Sequence, residues 1–299
     1  MQVVTRDKIG HVLSSAIEPV ARVRAGETFI VETEDAWVSR YSKQEDMTPE
    51  KLRIRPRTNP VTGPIYIEDA EPGDMIAIHI EEIEPDTYGY TRFRTDGGTL
   101  PYWFAEPRGR ITPIVDGKVQ FNDDIKIPLQ PMIGTIGTAH NVEELSSLVP
   151  GVHGGNMDCR DVGPGSILYL PVFTPGALLY VGDVHAVQGD GEVCGVAVET
   201  KARVRLTVHL HKGCPPEMSC PRVETEDYII TVASANPLEQ AVRIALRDMV
   251  LWLAADYGFD PADAYMLITQ IGDARICQMV NPVYTAAFQT PKKYLRPNG

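Results

Sequence analysis

The chain has 299 residues, 23% of them charged and 43% hydrophobic, with a formal net charge of −12. That balance describes a globular protein able to bury a sizeable core, and the acidic excess argues against a nucleic-acid backbone or an anionic membrane as partner. The longest apolar run, residues 249–255, is far short of a bilayer span, and the opening MQVVTRDKIG lacks the apolar core of a secretory signal, so a cytoplasmic protein is expected.

Residues 20–34 alternate in the β manner around an Ala-Gly turn, whereas residues 37–59 lose that period and read as a surface excursion. Asn59 to Pro64 reads as a rigid turn, followed by a strand at IYIEDA, another turn at residues 71–74 and an alternating strand at 75–83. Residues 86–120 are rich in Tyr, Arg, Gly and Pro without a clear period and read as an ordered loop or a lid. Residues 128–137 are apolar, and 141–148 suggest a short helix.

Further on, residues 202–210 form a strand whose apolar face is Val204, Leu206, Val208 and Leu210. His209 and His211 fall on its solvated face, and His79 is expected to pack on its own strand. Residues 237–257 place Leu238, Val242, Ala245, Leu246, Met249 and Leu253 at helical spacing, with Gly258 as the stop. A second helix starts at Asp260-Pro261, an N-cap followed by proline at the first helical position. The pattern predicts a mainly β chain: a β-sandwich or jelly-roll-like core with a small α-helical C-terminal addition. It is read as one domain over 1–299; an N-terminal β part (1–140) and a C-terminal part (141–299) are not separable by sequence.

Chemistry concentrates between Gly151 and Thr200. Residues 178–187 read as a strand, which turns Asp183 and His185 to one face. Gly189-Asp190-Gly191 supplies a tight turn, after which residues 192–198 are expected to run back antiparallel and bring Glu192 to that pair. Two carboxylates and an imidazole in such an arrangement suit a divalent ion and its bound water. The glycine loop His153-Gly-Gly-Asn156-Met-Asp158 offers further groups.

The segments HGGNMD (153–158), GDVHAVQGDGE (182–192) and NPVTGPI (59–65) resemble the acetamidase/formamidase family, and the likeness extends over nearly the whole chain, from SSAIEPV to AAFQTPKKYL. The resemblance implies hydrolysis of short aliphatic amides to carboxylate and ammonia on a mostly β fold, with metal in some members and a lactam-hydrolysing relative. His140 stands where proline is expected after GTIG-x-A, and no role is transferred to it.

Together, residue chemistry and resemblance lead to one expected scheme. Asp158, Asp183 and His185 hold a divalent metal, with zinc favoured by the histidine and calcium or magnesium left open. Glu192 is the general base and acid, and Asn156 contributes to oxyanion stabilisation. His153, Gln188, Asp190, Asp35 and Asn59 are candidates for substrate binding or support. Two other readings stand beside it: a cysteine-nucleophile amidase using Cys159 or Cys194, and a β-sandwich that binds a metal or small ligand without turnover. The five cysteines lack CxxC spacing and read as reduced thiols. The expected partners are a small amide substrate and further copies of the chain in a homo-oligomer.

Overall fold

Two β-sheets close on one shared core in the computed structural model, which describes residues 1–296. The larger sheet has nine strands, in the spatial order Gln2–Val4, Thr28–Thr33, Ala202–His211, Met75–Pro85, Ile167–Pro171, Arg222–Glu224, Tyr228–Ala235, Tyr284–Pro291 and Asp273–Gln278. The second has six: Gly154–Asn156, Met132–Thr138, Leu179–His185, Val61–Ile67 and Ile9–Gly10, with Ala21–Val23 alongside Val61–Ile67. Both sheets draw strands from either side of residue 140.

Period-two patterning explains the packing. Ile76, Ile78 and Ile80 from one long strand, and Val204, Leu206 and Val208 from its neighbour, point inward. They join Ile65, Ile67, Ile133, Ile136, Val181 and Val184 of the smaller sheet in a single core. Each such side chain contributes about 1.5–3 kcal/mol on full burial. His209 and His211 are exposed on the other face, and His79 is half-buried, its ring centroid 4.8 Å from that of His209.

Alternate residues of Tyr228–Ala235 and Tyr284–Pro291 face the opposite way. Ile229, Ala233 and Phe288 there meet Ala245, Met249, Trp252 and Leu253 of the helix Leu238–Tyr257. That helix stops at Gly258, where φ is +69°. The next helix, Pro261–Ile271, is capped by Asp260, whose carboxylate accepts from the backbone N–H groups of Ala262 and Asp263.

Four local expectations are corrected by tertiary pairing. The turn expected before IYIEDA is already strand from Val61, and the change of register between Leu179 and Val181 of the partner strand accommodates Gly63 and Pro64. Residues 86–120 are mostly sheet: Tyr88–Phe93 pairs antiparallel with Arg108–Val115. The inward positions of that first strand include Tyr90 and Arg92, and this hid the apolar alternation. No helix forms at 141–148, where Leu145–Ser146 instead pairs with Val12–Leu13. Residues 37–59 are also more than surface, since Tyr41, Met47 and Leu52 are buried against Tyr90.

Candidate functional site

A cavity of about 380 Å³ opens beside the strands Gly154–Asn156 and Leu179–His185. Its walls come from Trp37, from Thr58 and Asn59, from the segments between Arg92 and Gly98 and between Glu192 and Glu199, and from Val280 to Pro282. Asn156, Asp158 and Asp183 also line it. Most of these pieces are loop segments held by the two sheets, the usual arrangement for a site that needs convergent polar groups on a rigid frame.

The pair predicted from strand alternation does form, although Asp183 has a left-handed φ of +55°. His185 Nε2 lies 3.5 Å from Asp183 Oδ1 and 3.3 Å from Glu199 Oε1. These distances allow charge attraction, but neither contact is aligned as a hydrogen bond. Asp158, Asp183 and His185 each offer one ligand atom within 4.8 Å of the others, and His185, Glu192 and Glu199 form an overlapping group. All five side chains are buried.

The atoms that no hydrogen bond reaches are informative. Asp158 Oδ1, Asp183 Oδ1, His185 Nε2 and Glu199 Oε2 are buried without a partner. Their remaining atoms are fully engaged. Asn281 Nδ2 donates to Asp158 Oδ2 at 2.6 Å, and Asn59 Nδ2 donates to Asp183 Oδ2 at 2.8 Å. Gln188 Nε2 donates to the backbone carbonyls of Asp158 and Cys277, which leaves Gln188 Oε1 facing His185 Nδ1 at 2.8 Å. That contact requires a proton on Nδ1 and points the lone pair of a neutral ring at Nε2. Buried polar atoms left open in this way cost stability unless something binds them. The donor set, two carboxylates and one imidazole with unpartnered atoms converging, fits a divalent cation.

Backbone geometry serves the same convergence. Asn59, Asp158, Asp183 and Glu192 have φ values of +54°, +47°, +55° and +44°. Left-handed backbone at four non-glycine residues of one site is costly, and such strain clusters at functional sites. Gly134 completes the cradle: a Cβ there would lie 2.6 Å from Asp158 Oδ1 and 2.8 Å from Asp183 Oδ2.

Electrostatics follow from crowding. Burial, and then the charge of Asp183, pushes Asp158 up to about 6. Burial, opposed by His185 and reinforced by Asp183, raises Glu199 to about 8. Burial and the Asp158 charge hold Glu192 well above the usual carboxylate range. For His185, burial disfavours the imidazolium, but Glu199 and Asp183 outweigh it and keep the ring protonated. Protons therefore balance the negative charge when no cation does so.

The other expected site residues are distributed unevenly. Asn156 lines the cavity, and its Oδ1 accepts from the Thr135 hydroxyl at 2.5 Å, so Nδ2 is the group left for the pocket. Asn59 and Gln188 hold the cluster, as described. His153 is buried in the glycine loop, its Nε2 unpartnered, and lies outside the cavity lining. Asp190 faces away and is bonded to Arg275 at 2.8 Å. Asp35 is buried under Tyr90, whose hydroxyl donates to it at 2.6 Å, and it caps the turn at Trp37 and Ser39. Residues 192–198 form no strand; Glu192 reaches the cluster from a turn that closes with a Gly195 N–H bond to the Glu192 carbonyl.

Sequence reasoning missed Glu199 and Asn281. Glu199 is fixed by paired backbone bonds with Tyr90 and by a bridge to His185. Its signal was an acid ending the apolar run VAV just past the turn. Asn281 precedes Pro282 and carries only a turn signal. Of the two thiols considered, Cys159 is fully buried outside the cavity and lies well above the usual thiol range because of its Cys277 neighbour and burial. Cys194 does line the cavity; burial raises it, and its Sγ donates to the Val196 carbonyl at 3.1 Å. All five cysteines are free.

The sequence profile of the Acetamidase/Formamidase family matches residues 13–148 and 142–293. The fold is similar to an acetamidase from Bacillus halodurans, with a TM-score of 0.92 and 34% identity over 98% of each chain. An acetamidase from Yersinia enterocolitica is 37% identical with the same TM-score of 0.92, covering 98% of this chain and 92% of that one. By sequence, an acetamidase of Mycolicibacterium smegmatis is 28% identical over 218 residues, which is 51% of this chain and 53% of that protein. The matched part spans between 53% and 61% of the length of the curated relatives.

Proposed function

Because this chain belongs to the acetamidase/formamidase family, we propose that its cavity hydrolyses small linear carboxamides to carboxylate and ammonia. The observation that carries this reading is the convergence of unpartnered Asp158, Asp183 and His185 atoms beside a separate pocket carboxylate, Glu192. Asp158, Asp183 and His185 would hold a divalent ion, zinc by preference because an imidazole is among the ligands. Such an ion would polarise a carbonyl, acidify water and offset the negative neighbours that, together with burial, keep Glu192 protonated.

The protein's own groups account for the remaining work. Asn156 Nδ2 donates to the amide oxygen as negative charge develops on it. Glu192 takes a proton from the attacking water and passes it to the nitrogen as the C–N bond breaks, so the nitrogen leaves as ammonia. Glu199, which lines the same cavity, balances the His185 ring. Gln188, Asn281 and Asn59 hold His185, Asp158 and Asp183 in place, which spares the site the entropy of ordering them during reaction.

No helix among the described residues is long and apolar enough to cross a membrane. Five free thiols fit a reducing compartment, and we place the protein in the cytoplasm. The test is ammonia release from formamide and acetamide, with chelated and zinc-, calcium- or magnesium-reconstituted protein side by side. Release that disappears with chelation and returns with one ion is expected. Release that ignores chelation would overturn the metal assignment, and metal binding without any release would leave a binding protein.

A further inference from the structure

The cavity offers far more room than a two-carbon amide fills, and its wall at residues 92–98 carries positive charge. Arg92 is 2% exposed. One of its terminal nitrogens donates to the Tyr41 hydroxyl at 3.2 Å and the other to the Leu52 carbonyl at 2.7 Å. Its guanidinium carbon lies 5.0 Å from the Trp37 ring centroid, and Nε has no partner. Among the described residues no carboxylate pairs with it; burial, opposed by the Tyr41 phenol and reinforced by the neighbouring cation Arg94, disfavours its charge.

Buried guanidinium groups are ordinarily matched by a carboxylate, since an uncompensated buried charge is expensive. Arg94 is partly exposed at the same cavity and bonds Asp96 Oδ1 through Nε at 3.0 Å and Nη2 at 2.9 Å. Asp96 is also shared with Arg55. On this wall of the cavity two arginines, Arg92 and Arg94, stand with one aspartate, and that aspartate is shared with Arg55 from outside the lining. The positive excess is local to this wall, while the same cavity also carries the carboxylates of Asp158, Asp183, Glu192 and Glu199.

We propose that the preferred substrates are amides that carry an anionic group, such as monoamides of dicarboxylic acids, with the anion held by Arg94 in the field of Arg92. The inference rests on the amide-hydrolysis reading and names its substrate class. Arg94 supplies the contact, because its side chain retains 38% exposure. Arg92 supplies charge rather than contact, because its Nε is sealed from solvent.

The experiment compares succinamate with acetamide on metal-loaded protein. A kcat/KM about tenfold or more in favour of succinamate is expected at low ionic strength, shrinking as salt screens the charge. The Arg94→Gln variant, chosen over Arg92 because Arg94 is partly exposed, should reduce the succinamate-to-acetamide ratio by about tenfold, chiefly through KM. Equal efficiency on the two amides, independent of salt and of Arg94→Gln, would overturn the proposal while leaving amide hydrolysis standing. If neither amide is hydrolysed, calorimetry with succinate and acetate as probes still decides. Preferential binding of succinate that Arg94→Gln removes supports an anion site independent of turnover, and equal binding of the two sinks it.

Discussion

Buried charge is handled in opposite ways at two places in this protein. Under the helix Leu238–Tyr257, Asp248 accepts from Arg222 Nε at 2.7 Å and from the Ser219 backbone N–H and hydroxyl at 2.5 and 3.1 Å. One positive and one negative charge cancel there, and the guanidinium carbon lies 4.9 Å from the Trp252 ring centroid. One Arg222 nitrogen, Nη2, stays without a hydrogen bond. In the cavity, four carboxylates surround one imidazole, and an atom on each of four of these five residues has no partner. The first arrangement is balanced in charge by itself. The second is balanced only with protons or a cation, which is the physical mark of a site rather than of a structural ion pair.

That contrast can be broken by substitution. The largest effect on turnover is expected from Glu192→Gln, a loss on the order of a thousandfold in ammonia release with metal content unchanged, read by elemental analysis. Unaltered turnover would remove Glu192 from the chemistry. Gly134→Ala should strip the metal, because the new Cβ would fall within contact of both Asp158 and Asp183; a variant that still binds one ion per chain would contradict the cradle described above.

Stability measurements sharpen the comparison further. Asp248→Ala leaves a buried guanidinium unpaired and should cost about 3–5 kcal/mol in urea unfolding. Asp183→Asn should act with the opposite sign on metal-free protein, raising the urea midpoint by relieving repulsion with Asp158, while abolishing stabilisation by added metal. If Asp183→Asn destabilised the metal-free protein as much as Asp248→Ala does, the cavity charges would have to be counted as structural.

A pH slope is the last effect to resolve. Asp158 at about 6 and Glu199 at about 8 are raised above their unfolded values of 3.8 and 4.5. Their contribution is fully present below those unfolded values and is lost as pH rises, so metal-free protein should weaken between about pH 4 and 8. His153 has the reverse sign: burial lowers it from 6.5 to about 4, and its contribution is present above 6.5 and lost as pH falls toward 4. Metal-loaded protein should show the His153 slope and lack the carboxylate one. Thermal unfolding across this range, with and without chelator, checks both, and a chelated protein that strengthened up to pH 8 would contradict the assignment.

Local chemistry was legible where one residue answers to its immediate neighbours. The isoleucines of Met75–Pro85, the stripe ending at Gly258 and the cap at Asp260 follow periods of two and 3.6 residues, and the structure keeps them. Asp183 and His185 were legible for the same reason, since two residues apart on a strand is a local relation. Tyr88–Phe93 was not, because its inward positions take polar side chains whose partners come from Asp35, Tyr41 and Leu52.

The sequence by itself thus determined a two-sheet β protein with a helical addition, its family, and a concentration of metal-ligating residues between positions 151 and 200. Only tertiary structure decided which of those residues meet. It brought Glu199 and Asn281 to the cluster, turned Asp190 out to Arg275 and sealed Asp35 under Tyr90. The physical reason is range. Periodicity and turn chemistry act over a few residues, whereas the spacing of buried charges is set by strands that are distant in sequence and adjacent in the sheet.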